Sequence, residues 1–261
     1  MINFFKYQGA GNDFILIDNR MNLFTADKVA FAQKWCDRRF GIGSDGLIFI
    51  ENTEKAQFEM DFYNPDGSQS FCGNGSRCAV AFARQLGIVQ NDILFVAIDG
   101  LHEAEFVGDH VKIGMNQYGG IEKIGEDHFI DTGSPHYISY CNAGDQRNIV
   151  QYGRLIRNSD RFKEEGTNVN LIDEVTDDHI SIRTYERGVE NETLACGTGA
   201  TACGLSYASL RNNKSGIVSV DVKGGHLKIH YAKTEQKDVF TNVWLEGPAE
   251  FVFKGSMNGG N

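Results

Sequence analysis

Hydrophobic and polar positions along this chain mostly alternate with the two-residue period of half-buried strands, or gather into short apolar runs bounded by turn residues. In the first half this predicts strands over 3–8, 14–18, 47–51, 58–63, 93–98, 104–107 and 111–115, the last two joined at Gly108-Asp109 as in a hairpin. A helical period over Thr25 to Arg38 predicts a helix capped by Thr25. The second half repeats this grammar, with strands near 128–131, 137–140 and 179–185 and a helix over 145–157. Strands at 218–222, 227–231, 239–245 and 249–253 close the chain, with Gly224-Gly225 as a turn, and only 256–261 reads as frayed.

Two segments, about 74–86 and 198–210, break the alternation in a matching way. Each is a run of small and apolar residues following a glycine-bracketed turn, which predicts a helix buried from its first turn. Ala200 to Leu210 carries no charge and should be wrapped by strands on nearly all sides; the first helix carries Arg77 and Arg84, which predicts less complete burial. The segments lie about half the chain length apart, and Gly119-Gly120 sits between them. The expected fold is α+β, with two similar domains at 1–118 and 119–261.

Composition narrows the class. A chain of 261 residues with 41% hydrophobic content can bury roughly three quarters of its unfolded surface. Its formal net charge of −10, with no basic cluster interleaved with aromatics, argues against nucleic acid. No leader pattern and no uncharged run near the ~18 residues of a membrane span is present, so a cytoplasmic protein off the membrane is expected. Six cysteines stand at 36, 72, 78, 141, 196 and 203, without the paired short spacings or nearby histidines of a zinc site, so no metal is expected.

The chemistry concentrates in the two matched segments, Cys72-Gly73-Asn74-Gly75-Ser76-Arg77-Cys78 and Cys196-Gly197-Thr198-Gly199-Ala200-Thr201-Ala202-Cys203. Inverting a carbon acid without a cofactor needs a base on one face and an acid on the other, and reversibility needs the two to exchange roles. Two residues of one type meet that symmetry. A helix N-terminus lowers a thiol's pKa while apolar burial raises it, so thiolate and thiol can coexist near neutrality. Gly73 and Gly197 leave backbone N–H groups free to approach a carboxylate. A single Cys-Gly-x-Gly is more often an inert turn, and the pairing at half-chain spacing is what changes the weighing. Cys36, Cys78, Cys141 and Cys203 are expected to be core residues.

The longer motifs carry a resemblance. Gly9-Ala10-Gly11-Asn12-Asp13-Phe14, Arg39-Phe40-Gly41-Ile42-Gly43-Ser44-Asp45-Gly46 and Asn64-Pro65-Asp66-Gly67-Ser68 lead to the first cysteine. Gly133-Ser134-Pro135-His136, Asn168-Val169-Asn170 and Tyr185-Glu186-Arg187-Gly188 lead to the second. In that order they resemble the diaminopimelate epimerases. The resemblance implies two pseudo-symmetric domains, each a curled, mostly antiparallel sheet around a central helix, with the last strand crossing back to the first domain and the site in the cleft. It implies a cofactor-independent epimerase interconverting LL- and meso-diaminopimelate, on the route to lysine and peptidoglycan precursors.

By the same resemblance Cys72 and Cys196 exchange the α-proton, and His136 and Glu186 tune the thiols. Gly73, Asn74, Gly197 and Thr198 cradle the reacting carboxylate, while Asn12, Asn64, Asn168, Glu186 and Arg187 contact substrate, Arg187 as a guanidinium paired with a carboxylate. Three departures bear on substrate geometry: Ser134 where many members have Asn, Gly46 where some have Gln, and a link over 188–195 one residue longer than usual. Two other readings stay open, a proline or hydroxyproline racemase and a thiol-disulfide redox protein. A homodimer is also left open.

Overall fold

The computed structural model describes residues 1–141, 145–236 and 238–258; the end of the expected frayed tail, 259–261, lies outside them. Two compact units divide the chain, Met1–Ile113 with Gly247–Asn261, and Gly114–Glu246. The division thus falls at 113/114 instead of 118/119, and the residues from Gly247 group with the first unit.

In the first unit, β1 (Ile2–Gly9) pairs antiparallel with β2 (Asn12–Asp18), and β2 pairs parallel with β3 (Gly46–Glu51) across α1 (Lys28–Trp35). β3 pairs antiparallel with β4 (Phe58–Tyr63), which runs parallel to β5 (Ile93–Ala97) across α2 (Gly73–Gln85). β6 (Gly100–Val107) and β7 (His110–Gly114) continue the meander. Parallel pairing needs a crossover, and the two helices supply it.

The second unit repeats this order. β8 (Glu122–Ile124) pairs with β9 (Asp127–Asp131), β9 antiparallel with β10 (Pro135–Tyr140), and β10 parallel with β11 (Asn168–Thr176) across α3 (Ile149–Arg157). β11 pairs antiparallel with β12 (His179–Glu186), which joins the short β13 (Asn191–Glu192) and, across α4 (Gly197–Ser209), runs parallel to β14 (Ser215–Val222). β15 (Gly225–Lys233) and β16 (Phe240–Pro248) follow. The last strand, β17 (Glu250–Met257), pairs antiparallel with β1, so Ser256 and Met257 are held in a sheet and are not frayed.

Each sheet carries a helix on both faces, which explains the continuous apolar runs at 14–17 and 47–50. Ile15, Ile17, Leu47 and Phe49 form a core with Phe31 and Ala32 of α1. Alternation turns Phe14, Leu16, Ile48 and Ile50 to the α2 side, where a Cβ added at Gly75 would touch Ile48. In the second unit, Tyr137, Val169, Leu171 and Tyr185 pack with Ile149 below α3. Both central helices are buried as expected for α4, but Arg77 overturns the expectation for α2: its side chain is wholly enclosed.

Three local expectations shift. Asp27, not Thr25, caps α1, its carboxylate accepting from Val29 N at 2.9 Å. Asn148 caps α3, so the helix starts four residues later than the polar pattern at Asp145 predicts. The full length of β11 escapes the pattern because its first residues, Asn168 and Asn170, are polar yet buried.

Candidate active site

Each central helix begins at a cysteine. Cys72 caps α2 with φ −133° and ψ 104°, and its Sγ accepts from Gly75 N at 3.4 Å. Cys196 caps α4 with φ −127° and ψ 113°, and its Sγ accepts from Gly199 N at 3.4 Å. Cysteine is no usual N-cap, since a neutral thiol is a weak acceptor; a thiolate is a far better one. Helix geometry also leaves the N–H groups of Gly73, Asn74, Gly197 and Thr198 without an intrahelical carbonyl, aligned for an anion. Both sulfurs are half-buried and unbridged, while Cys36, Cys78 and Cys203 are buried; Cys141 is only half-buried, short of the expected core position. Burial drives the Cys78 and Cys203 thiols well above their ordinary range.

Around Cys72 the polar side chains form one chain of contacts. Asn12, at the start of β2, donates to Asp45 at 3.1 Å and accepts from the amide of Asn74. Asn74 in turn accepts from the Arg77 guanidinium at 2.8 Å. Asp45 and Asp13 share Arg38, at 2.7 and 2.6 Å, and Asp13 also pairs with Lys6 at 2.6 Å. Burial pushes the Asp13 carboxyl up, but Arg38 and Lys6 outweigh it and hold the group below its ordinary range.

Around Cys196 the contacts run through an imidazole. Asn170 Nδ2 donates to His136 Nδ1 at 3.2 Å, which leaves Nε2 as the protonated nitrogen facing Thr198 Oγ1 at 3.0 Å; Thr198 Oγ1 lies 3.4 Å from Cys196 Sγ. Burial first, and the charge of Arg187 second, pull the His136 pKa down to about 3, so the ring is neutral. Asn168 donates to Ser134 at 2.8 Å and accepts from Arg187 N at 2.8 Å, and Thr184 donates to Asn170 at 2.9 Å. A Cβ at Gly199 would stand 3.0 Å from Asn170 Oδ1 and 3.2 Å from His136, so glycine is what lets the helix start against this pair.

Within the second unit these contacts join Cys196, Thr198, His136 and Asn168, with Arg187 attached through its backbone. Within the first unit they join Asn12 and Asn74. Asn64 instead spends its amide on its own turn, donating to Ser68 and Ser70 at 3.1 and 3.2 Å. Arg187 is exposed and donates to Glu165 O at 2.8 Å, and half-buried Glu186 ends β12 opposite Asn191. Asn170, Thr184 and Arg77 carry the surrounding contacts without having been singled out; the period of two from Asn168 to Asn170 is the signal that places both on one face.

The departures find local reasons. Ser134 is long enough to accept from Asn168. Gly46 is compelled, since a Cβ there would fall 2.3 Å from the Phe62 ring. The longer link folds back as β13, with the Glu190 carboxylate accepting from Tyr185 at 2.5 Å and from Gly188 N at 3.1 Å. Elsewhere, Asp221 accepts from His179 and His226 at 2.8 and 2.7 Å; among the described residues this is the group whose side chains could ligate a metal.

The fold is shared with solved structures that include a hydroxyproline epimerase and a methylitaconate isomerase. It matches the Bacillus anthracis phenazine biosynthesis protein of the PhzF family with a TM-score of 0.76 at 14% identity, over 97% of this chain and 98% of that one. A hydroxyproline epimerase from Agrobacterium vitis matches with a TM-score of 0.67 at 12% identity, over 97% and 91%. Sequence then narrows the class. The family model for diaminopimelate epimerase matches residues 4–119 and 128–252. The diaminopimelate epimerase of Flavobacterium psychrophilum is 44% identical over 96% of this chain and 98% of its own length, and that of Chlorobaculum tepidum 42% identical over 95% and 98%. The chain belongs to the diaminopimelate epimerase family, and is an isomerase. No helix among the described residues is long and apolar enough to cross a membrane.

Proposed function

We propose that this chain interconverts LL- and meso-diaminopimelate by passing the α-proton between the thiols of Cys72 and Cys196. The observation that carries the reading is the repeated N-cap: in each unit a half-buried sulfur sits in hydrogen-bond contact with the first turn of a buried helix. One cysteine, as thiolate, takes the α-proton; the electron pair left on carbon is delocalised into the carboxylate; the other cysteine, as thiol, returns a proton to the opposite face. The protein ends with the roles of its sulfurs exchanged and no net change in protons.

Carbon acidity is the obstacle, and the aligned N–H groups of Gly73, Asn74, Gly197 and Thr198 address it by stabilising charge that grows on the carboxylate. Asn12, Asn64, Asn168, Glu186 and Arg187 hold the substrate, with the guanidinium of Arg187 matched to the distal carboxylate. That second charged head separates this substrate from proline. His136 and Glu186 set the protonation of the thiols.

The test is solvent deuterium entering the α position. Cys72→Ala and Cys196→Ala should each abolish exchange and epimerisation of diaminopimelate while circular dichroism stays native. Most of the activity surviving in either variant, or turnover of proline in place of diaminopimelate, would overturn the reading.

A further inference from the structure

The two cysteine helices differ five residues past the cap. In α4 that position is Thr201, buried and neutral, its hydroxyl donating to Gly197 O at 3.0 Å. In α2 it is Arg77, with 0% of its surface exposed. Its guanidinium donates to Pro248 O at 3.2 Å, Asn74 Oδ1 at 2.8 Å and Gly73 O at 3.5 Å. All three acceptors are uncharged. Among the described residues no carboxylate pairs with it, and its electrostatic partners are Cys78 and Cys72.

A buried charge without a counter-ion costs several kcal/mol, and arginine cannot shed its proton to escape. Burial pulls the Arg77 pKa down only to about 10, so the group stays charged at neutral pH. It also stands at the positive end of a helix, where the peptide dipoles add to the cost. Of the other charges on the strands packed against α2, Lys6 pairs with Asp13 and both Asp61 and Glu51 pair with Lys28, while Glu250, whose charge reaches Cys78, is exposed and bonds Gln8. Cys78 is wholly buried, and burial holds its thiol neutral. Of the two thiols whose charge acts on Arg77, the half-buried Cys72 is then the one able to ionise and supply the missing negative charge.

We infer that Arg77 is a positioning residue that makes Cys72 the resting thiolate and leaves Cys196 the resting thiol. Around Cys196 the His136–Thr198 relay is neutral, and the charge that reaches it, that of Arg187, is exposed to solvent and screened there, whereas Arg77 is fully enclosed and its charge is not. The inference rests on the proposed roles of the two cysteines and adds the direction in which the free protein is charged.

Iodoacetamide alkylation of the full-length protein across pH, with adducts at 72 and 196 quantified by peptide mass spectrometry, tests it. In the parent the midpoint for Cys72 should lie at least about one pH unit below that for Cys196. Arg77→Gln should raise the Cys72 midpoint by a similar amount and leave that of Cys196 in place, and Arg77→Lys should restore most of the difference. A Cys72 midpoint equal to or above that of Cys196 in the parent overturns the inference with no variant needed, and so does a Cys72 midpoint indifferent to Arg77→Gln. Because thiol titration is read instead of turnover, the outcome is distinct from that of the cysteine exchange assay: active Cys72→Ala refutes the catalytic role, whereas reversed midpoints refute only the assignment of charge.

Discussion

The helices α2 and α4 begin alike and are surrounded by different electrostatics. Both open at a cysteine whose sulfur accepts from an N–H of the first turn at the same 3.4 Å, and both are enclosed by strands in the same order. Behind Cys72 stands an enclosed permanent charge, Arg77, bonded to Asn74; behind Cys196 stands a neutral chain of Asn170, His136 and Thr198, with the exposed Arg187 beyond it. A repeated scaffold gives each sulfur the same seat at a helix start, and unlike surroundings give each a different electrostatic setting. Two identical environments would offer no preferred site for a single ionised thiol.

The largest effect expected from breaking this difference is on folding. Thr201→Arg places a guanidinium at the α4 counterpart of Arg77, where Thr201 is fully enclosed and bonds a neutral carbonyl. Overpacking and an unpaired buried charge together should cost at least about 3 kcal/mol, while Thr201→Val, which loses one hydrogen bond, should cost about 1 kcal/mol. Urea unfolding of both variants beside the parent checks this. If Thr201→Arg unfolds at the parent's midpoint, a charge at this helix position needs no counter-ion, and Arg77 then says nothing about Cys72.

The second effect is a difference in pH response. Arg77 stays charged at neutral and acid pH, but His136 titrates abnormally, its pKa falling from 6.5 to about 3 by burial and by Arg187. The native state therefore refuses a proton that the unfolded chain accepts. Stability from the neutral ring is full above about pH 6.5 and is lost as pH falls toward 3, by up to about 1.4 kcal/mol per pH unit. Replacing the ring in His136→Gln should lower stability most at pH 7, and the gap to the parent should narrow between pH 6 and pH 4. A gap of constant size by urea titration at both values would mean that the folded protein takes up the imidazole proton as readily as the unfolded chain.

How much of this was legible beforehand follows from which forces act locally. The central helices and their cysteine caps could be read from composition, since uncharged runs after glycine-bracketed turns have few other uses. The cap of α1 and the start of α3 lie further along than the pattern reads because several polar residues stand before each helix, and only backbone geometry selects Asp27 and Asn148. β11 was seen only as a motif, since Asn168 and Asn170 look like surface residues until His136 and Ser134 are placed across from them. Arg77 misled most: a charge in an apolar helix signals exposure by every local rule, and its burial makes sense only through groups on β17's approach and in the first turn. Gly46 likewise reads as a lost contact until the Phe62 ring is found in the space a side chain would need.

The smallest effect separates the two surroundings at a single atom. Thr198 Oγ1 stands between His136 Nε2 and Cys196 Sγ, at 3.0 and 3.4 Å, whereas its counterpart Asn74 bonds away from Cys72, to Asn12 and Arg77. With His136 neutral and Nε2 protonated, the imidazole donates to the hydroxyl, and the hydroxyl donates to sulfur when Cys196 is ionised. Thr198→Val keeps the shape and removes that donor, so it should slow the direction of turnover that passes through a Cys196 thiolate by about tenfold, one hydrogen bond to a charged acceptor being worth about 1.5 kcal/mol. Thr198→Ser should recover most of the rate, because the hydroxyl returns and only a methyl is lost. Measured by kcat in deuterium exchange, with unfolding midpoints to confirm an intact fold, equal rates for Thr198→Val and the parent would show that Cys196 ionises without the relay, and the two helices would then differ by Arg77 alone.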